Sequence, residues 1–293
     1  MTETARIVAS HGRSYIVERT NGQRLRASTR GKKTDYACGD LVDIQILNDE
    51  QAVIERVLER KTLLYRSDAW KSKLIAANVT QLIIVLASEP SFSTELISRC
   101  AIAAEAGGIQ TLICLNKCDL PTATAAKDRL QYFVNLGYKV IEVSALSNDI
   151  TPLRAALVGH ISVLVGQSGM GKSTITNALL PDANARVNEI SIALDAGKHT
   201  TTNATFYHLD TESALIDSPG LQSFGLAHIT AQDLPAYFPE FKERIGTCRF
   251  HNCRHRQEPD CGMRKGVEEG TISPQRLALL HRLQDELSSG SRY

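Results

Sequence analysis

Eight consecutive residues, Gly166-Gln167-Ser168-Gly169-Met170-Gly171-Lys172-Ser173, fit the spacing G-x-x-x-x-G-K-[ST]. An apolar run, Ile161–Val165, leads into them, and a helical pattern over Thr174–Leu180 leads out. The chemistry this predicts is phosphate binding. Glycines let backbone N–H groups turn inward around an anion, and the following helix N-terminus adds partial positive charge. Lys172 is placed to reach β- and γ-phosphates, and the Ser173 hydroxyl to ligate Mg²⁺. The candidate phosphate set runs from Gly166 through Thr174.

That loop does not distinguish adenine from guanine. Asn116-Lys117-Cys118-Asp119 does, because it fits N-K-x-D directly after an apolar strand. The Asp119 carboxylate can accept from guanine N1–H and the 2-amino group. Adenine offers neither donor and would leave the carboxylate unsatisfied. Asn116 is expected to tie the base loop to the phosphate loop, with the Lys117 stem covering the base. Ser144-Ala145 follows the strand-like Val140–Val143, and its position suits a backbone contact to guanine O6.

Asp217-Ser218-Pro219-Gly220 fits D-x-P-G after the strand-like Ala214–Ile216. Asp217 is a candidate for holding Mg²⁺ through water, and the Gly220 amide for sensing a γ-phosphate. Gly197-Lys198-His199-Thr200-Thr201-Thr202 lies between, and Thr201 is favoured among its threonines as a Mg²⁺-closing switch residue. The motifs therefore run base loop, Ser-Ala, phosphate loop, threonines, D-x-P-G. Ordinary small GTPases begin with the phosphate loop, so these parts are in permuted order. Leu221 stands where many GTPases carry a water-orienting Gln, which predicts slow intrinsic hydrolysis. His199 is the best substitute for that role, against the alternative of a surface histidine in a loop.

Three cysteines and one histidine crowd into Cys248-x₄-Cys253-x-His255-x₅-Cys261, a set suited to a closed tetrahedral Zn²⁺ site. His251 is a rival fourth ligand, and three ordinary reduced cysteines are the alternative. A closed site would be structural, folding a unit too poor in hydrophobes to fold alone. Nearby Arg249, Arg254, Arg256, Arg264 and Lys265 make it a candidate RNA-facing surface. Cys38, Cys100, Cys114 and Cys118 read as core or loop residues.

Positioning these groups takes more than one folding unit, and 293 residues allow two or three. Residues 1–60 read as five short strands, Arg6–Ser10, Ser14–Arg19, Gln23–Ala27, Leu41–Leu47 and Gln51–Val57, with Asn21-Gly22 a hairpin signal. They fit an OB-type barrel, and an SH3-like barrel nearly as well. Arg24, Arg26, Arg30, Lys32 and Lys33, with no acid from Arg19 to Thr34, face a phosphate backbone or form a solvated basic loop. Residues 61–75 read as a linker. From Asn78, strands alternate with helices (about Thr94–Ala106, Thr124–Asn135 and Pro152–Val158), the pattern of a mostly parallel sheet covered on both faces. A last helix is expected over Pro274–Leu287. The expected fold is α/β: a circularly permuted P-loop GTPase domain (67–233) between an OB-type barrel (1–66) and a zinc-binding helical unit (234–293).

The formal net charge of +1 conceals basic ends around an acidic middle, weak evidence by itself for a nucleic-acid partner. No apolar run reaches the roughly 18–20 residues of a membrane span, and MTETARIVAS has no apolar signal core. The odd count of seven cysteines suits a reducing compartment, so a cytoplasmic protein without a membrane partner is expected.

Together, NKCD, GQSGMGKS, GKHTTT, DSPG and the Cys/His cluster, following a barrel-like start, resemble the circularly permuted bacterial GTPases of the ribosome small subunit-dependent GTPase A (RsgA or YjeQ) type. The resemblance covers nearly the whole chain. It implies GTP hydrolysis to GDP and phosphate stimulated by the 30S subunit, a role in late 30S maturation, and 30S rRNA as partner. It implies one structural Zn²⁺ on Cys248, Cys253, His255 and Cys261, and Mg²⁺ with GTP on Ser173, Thr201 and Asp217. It also supports His199, with Lys172, as catalytic. A monomer is expected. The tail beyond the last helix is short, so a longer tail's function is not carried over. The rival reading is a non-catalytic RNA-binding module that uses GTP as a structural ligand.

Overall fold

The computed structural model describes residues 2–11, 14–30, 36–68, 71–180, 204–217, 226 and 228–290. His199, Thr201 and Gly220, with Leu221, Lys32 and Lys33, lie outside the described residues.

Five strands open the chain: β1 (Thr2–His11), β2 (Ser14–Arg19), β3 (Arg24–Thr29), β4 (Leu41–Ile46) and β5 (Gln51–Val57). Their side chains alternate between faces; β3 reads exposed, buried, exposed, buried. The order is β1-β2-β3-β5-β4, with β4 returning to β1, so the sheet closes. Strand β3 lies parallel to β5 and the other pairings are antiparallel. That closed five-stranded barrel encloses its own core of Ile7, Tyr15, Val17, Leu25, Val42, Ile44 and Ile54. Gly22 turns β2 into β3 at φ +84°, a backbone region that suits glycine. The basic stretch is partly neutralised within the barrel, Arg24 pairing with Glu18 at 2.9 Å and Arg30 with Glu55 at 2.9 Å.

Residues read as a linker form a hairpin instead, β6 (Leu63–Asp68) against β7 (Lys71–Ala77). No local period announces it. Leu64, Ile75, Ala76 and Ala77 are buried, and Ala77 N donates to Cys38 O at 2.9 Å, so the hairpin takes its shape from contacts distant in sequence.

The second unit is built from β8 (Gln81–Ala87), α1 (Thr94–Ala106), β9 (Gln110–Asn116), α2 (Ala123–Asn135), β10 (Lys139–Glu142), α3 (Thr151–Leu157), β11 (Ile161–Val165), α4 (Lys172–Leu179), β12 (Thr205–His208) and β13 (Ala214–Asp217). Its strands run in the order β10-β9-β8-β11-β13-β12, parallel from β10 to β13, with β12 antiparallel. All seven residues of β8 are buried, as expected for a central parallel strand with both faces covered. The chain enters β8, β9, β11 and β13 from one end, so the loops after them all emerge together at the C-terminal edge, where ligands bind in open α/β sheets. Strand β12 also meets β1 at Ala9 and Thr205, joining barrel and sheet.

Two 3₁₀ turns (Leu234–Tyr237 and Pro239–Arg244) and two helices, α5 (Gly262–Glu268) and α6 (Pro274–Gly290), complete the described chain. They share the core of the parallel sheet through Phe238, Phe241, Met263, Leu280 and Leu283. The Arg276–Glu240 ion pair is buried at their junction with α1, where Arg276 also donates to Ser98 Oγ at 2.5 Å. Arg99–Glu286 (2.6 Å) and Arg282–Glu95 (3.1 Å) add paired charges on the rim. Among the described residues, no helix is long and apolar enough to cross a membrane.

Candidate nucleotide site and metal centre

The phosphate-loop candidates occupy the turn from β11 into α4. Gly166, at φ +151°, passes so close to β8 that an added Cβ would lie 2.3 Å from Val85 O. Gly171, at φ +94°, passes Asn116 with a Cβ distance of 2.2 Å to Nδ2. Neither position admits a side chain, so the loop lies flat on the sheet edge. Gln167 is half-buried and Met170 buried, whereas Ser168, Gly169, Ser173 and Thr174 are open to solvent. This is a shallow, backbone-lined cradle at a helix start, the shape an anion requires.

Lys172 Nζ lies in the same cradle, donating to Gly166 O at 2.6 Å and Gln167 O at 2.9 Å. Burial lowers its pKa, and the charge of Asp217 works the other way. Burial raises the pKa of Asp217, at the end of β13, and Lys172 opposes that shift. The two half-buried charges therefore act on each other across the cradle. With the Ser173 hydroxyl, Asp217 offers hard oxygen donors of the kind Mg²⁺ takes.

The base-loop candidates follow β9. Asn116 is 3% exposed and joins three segments. Its Nδ2 donates to Met170 O in the phosphate loop at 3.0 Å, and its Oδ1 accepts from Ala145 N at 3.1 Å. The Ala145 amide, in the Ser-Ala turn whose backbone is expected near guanine O6, thus donates to Asn116. Ser144 Oγ donates to Asp119 Oδ1 at 2.5 Å, fixing the exposed carboxylate on the side of the Ser-Ala turn. Cys118 is half-buried, and its thiol meets Leu115 O at 3.3 Å. Lys117 has φ +62° and donates Nζ to Glu89 O at 2.6 Å.

That last contact reveals a segment the sequence reading passed over. The loop after β8 lies between base loop and phosphate loop: Pro90 is 3.3 Å from the Cβ position of Gly169, and Thr122 Oγ1 reaches Ser88 Oγ (2.9 Å) and Glu89 Oε1 (3.0 Å). The available signal was the polar break Ser88-Glu89-Pro90-Ser91 at the C-terminal end of a fully apolar strand.

Cys248, Cys253, His255 and Cys261 meet beside the start of α5, their ligand atoms all within 4.8 Å of one another. His255 Nδ1 is 3.5 Å from both Cys248 Sγ and Cys261 Sγ, and those two sulfurs are 3.9 Å apart. A tetrahedral ion with Zn–S of ~2.3 Å and Zn–N of ~2.0 Å has edges of about 3.5 and 3.8 Å, so the donor set fits zinc. His251 is exposed and outside the group. Amides of His255 and Gly262 donate to Cys253 Sγ and Cys248 Sγ, each at 3.3 Å, a contact that favours thiolate sulfur. His281 Nε2 meets His255 O at 2.9 Å. Glu258 gathers the amides of Arg254, Arg256 and Gln257, which hold its carboxyl down at about 2. Cys38, Cys100 and Cys114 are buried core residues, and burial pushes the Cys100 thiol up to about 12.

A P-loop at the mouth of a parallel sheet, an N-K-x-D loop locked to it, and strands that reach these motifs in permuted order define a circularly permuted GTP hydrolase. The RsgA GTPase family model matches residues 57–227, and the chain belongs to that family. It is 56% identical over 287 residues to the small ribosomal subunit biogenesis GTPase RsgA of Neisseria meningitidis serogroup B, covering 98% of this chain and 93% of that one. Against the protein of the same name from Nitrosospira multiformis the identity is 49%, with 97% and 90% covered. Among solved structures it is similar to YjeQ from Thermotoga maritima (TM-score 0.75, 28% identity, 100% of both chains). It is also similar to YloQ, described as a circularly permuted GTPase (TM-score 0.73, 25% identity, 100% of this chain and 98% of that one).

Proposed function

We propose that this GTPase acts in biogenesis of the small ribosomal subunit, binding the 30S particle through its rRNA and hydrolysing GTP to GDP and phosphate when the particle stimulates it. The reading rests on one observation above all. Asn116 fastens the N-K-x-D loop to both the phosphate loop and the Ser-Ala turn, so a base at Asp119 and phosphates at Gly166–Thr174 belong to one bound nucleotide. The names of the 49–56% identical relatives supply the particle.

In this reading Asp119 accepts the guanine N1–H and 2-amino hydrogens, and Ser144 holds the carboxylate for that task. Lys172 leaves its own loop carbonyls for the β- and γ-phosphates, a transfer favoured because its charge is half-buried and poorly satisfied by neutral oxygens. Ser173, Asp217 and Thr201 hold Mg²⁺, which neutralises phosphate charge when bound. Gly220 senses the γ-phosphate, and His199 orients the water that attacks it. Cys248, Cys253, His255 and Cys261 hold one structural Zn²⁺. The division into barrel (1–66), GTPase unit (67–233) and zinc unit (234–293), a monomeric state and a cytoplasmic location complete the proposal.

Single-turnover GTP hydrolysis with and without purified 30S subunits is the test, paired with sedimentation of the protein with 30S in GDP or a non-hydrolysable GTP analogue. Faster hydrolysis with 30S and co-sedimentation favouring the analogue are expected. Equal rates and no co-sedimentation would defeat the proposal.

A further inference from the structure

The loop that joins β8 to α1 is fixed at both ends. It leaves the sheet at Ala87, which is buried, and ends at Ser93, whose hydroxyl accepts from Leu96 N at 3.4 Å and caps α1. Between them Phe92 is buried, while Glu89, Pro90 and Ser91 face solvent. Burying Phe92 would suffice to pack such a loop. Further contacts reach it from the base loop and the helix that follows. Lys117 donates Nζ to Glu89 O at 2.6 Å. Thr122 Oγ1 lies 2.9 Å from Ser88 Oγ and 3.0 Å from Glu89 Oε1, and its single proton goes to the charged oxygen, the stronger acceptor. From α2, Arg129 donates to Phe92 O at 2.7 Å and holds its guanidinium 4.2 Å from the Phe92 ring centroid.

Thr122 stands at the N-cap of α2, where a threonine ordinarily bonds its own helix. Its hydroxyl makes no such bond and turns to the loop instead, so the helix start gives up a cap to hold Glu89. Lys117 is the residue that gains. Its backbone sits at φ +62°, and its long stem is expected over the base. A free stem would lose rotamer entropy each time it closed on a nucleotide. A stem whose ammonium is already fixed on the Glu89 carbonyl has lost it beforehand. The same loop touches the phosphate cradle. Pro90 Cδ and Cγ are each 3.3 Å from the Cβ position of Gly169, one residue before the Met170 carbonyl that accepts from Asn116 Nδ2 at 3.0 Å. Base loop, phosphate loop and the Lys117 ammonium therefore share one support.

We propose that the loop Ser88–Phe92 is the seat of Lys117, and that Thr122 and Arg129, both outside the base-reading motif, are positioning residues for guanine nucleotide. They hold the Glu89 carbonyl where it fixes the Lys117 ammonium, and so set how slowly nucleotide leaves. This deepens the reading above and rests on its assignment of Lys117 and Asp119 to the base.

The test uses the full-length, zinc-loaded protein with Mg²⁺ and follows release of a ribose-labelled fluorescent GDP during a chase with unlabelled GDP. Thr122→Val keeps the shape of the side chain and removes the hydroxyl. Release should quicken about tenfold, the scale of one hydrogen bond to a charged group. Thr122→Ser should restore the parent rate, and Arg129→Gln should quicken release as the valine does. Lys117→Met keeps the stem, removes the ammonium and should also quicken release. In that background Thr122→Val should add nothing, because the seat no longer has an occupant. Circular dichroism melting confirms that each variant is folded. Parent-like release in Thr122→Val would overturn the proposal, as would failure of serine to restore the rate. An undiminished effect of Thr122→Val beside Lys117→Met would also overturn it, since that marks a merely structural role. A parent protein that binds no guanine nucleotide, or an Asp119→Asn variant that binds GDP as tightly as the parent, sinks the base reading itself. Tight, Asp119-dependent binding that ignores Thr122 sinks the seat alone.

Discussion

Replacing Asn116 by alanine removes the side chain that joins the three nucleotide segments. Two partners are stranded, the Met170 carbonyl and the Ala145 amide, in residues 1% and 5% exposed. An orphaned buried polar group costs ~1–3 kcal/mol; taking the middle of that range for the carbonyl and the lower end for the amide gives about 3 kcal/mol. At ~2–4 °C per kcal/mol for a unit of this size, the nucleotide-free protein should melt about 6–12 °C lower. If bound nucleotide must also restore the lost register between loops, GTP affinity falls about a hundredfold, tenfold for each ~1.4 kcal/mol. Thermal melting by circular dichroism reads the first quantity and calorimetric GTP titration the second. Asn135→Ala is the control, since Asn135 is exposed on α2 and its side chain, among the described residues, accepts only from Gln131 at 3.0 Å. A melting shift no larger than the control's, or unchanged GTP affinity, would refute the reasoning.

Gly171→Ala should be more damaging than a helix-start substitution elsewhere, because its Cβ would fall 2.2 Å from Asn116 Nδ2 at a φ of +94°; loss of GTP binding in a folded protein is the expected result, and near-normal binding would contradict the packing described. Chelation should remove about one zinc per chain and unfold the C-terminal unit first, seen as early proteolytic cleavage within 245–290, while a metal-free sample of full resistance would contradict the ligand set. The β12–β13 turn is held by Asp210, which accepts from the amides of Glu212 (2.8 Å) and Ser213 (2.7 Å). Those contacts lower its pKa, so its contribution is complete above the ordinary carboxyl value of 3.8 and is lost as pH falls below it. The melting difference between the parent protein and Asp210→Ala should accordingly be present at neutral pH and shrink in acid; a difference that grows there would reverse the sign argued.

Much of the candidate site is legible in the sequence alone. Phosphate cradles need glycines and a lysine at fixed spacing, base reading needs a carboxylate after a strand, and zinc needs soft donors close in sequence. Such constraints act over a few residues, as do helix periodicity and turn chemistry, and α1 and β11 have the bounds the pattern predicts. Other features depend on where strands fall in the sheet. The Asn116–Met170 bond spans 54 positions and the Arg276–Ser98 contact 178. The β6–β7 hairpin, the engagement of Ala145 by Asn116, the loop at Glu89 and the choice of an OB-type order over an SH3-like one are of the same kind. Composition and spacing determined which groups are available for chemistry, because those preferences are local. Only the folded chain decided which groups touch, because strand order and register follow from burying all the apolar faces at once.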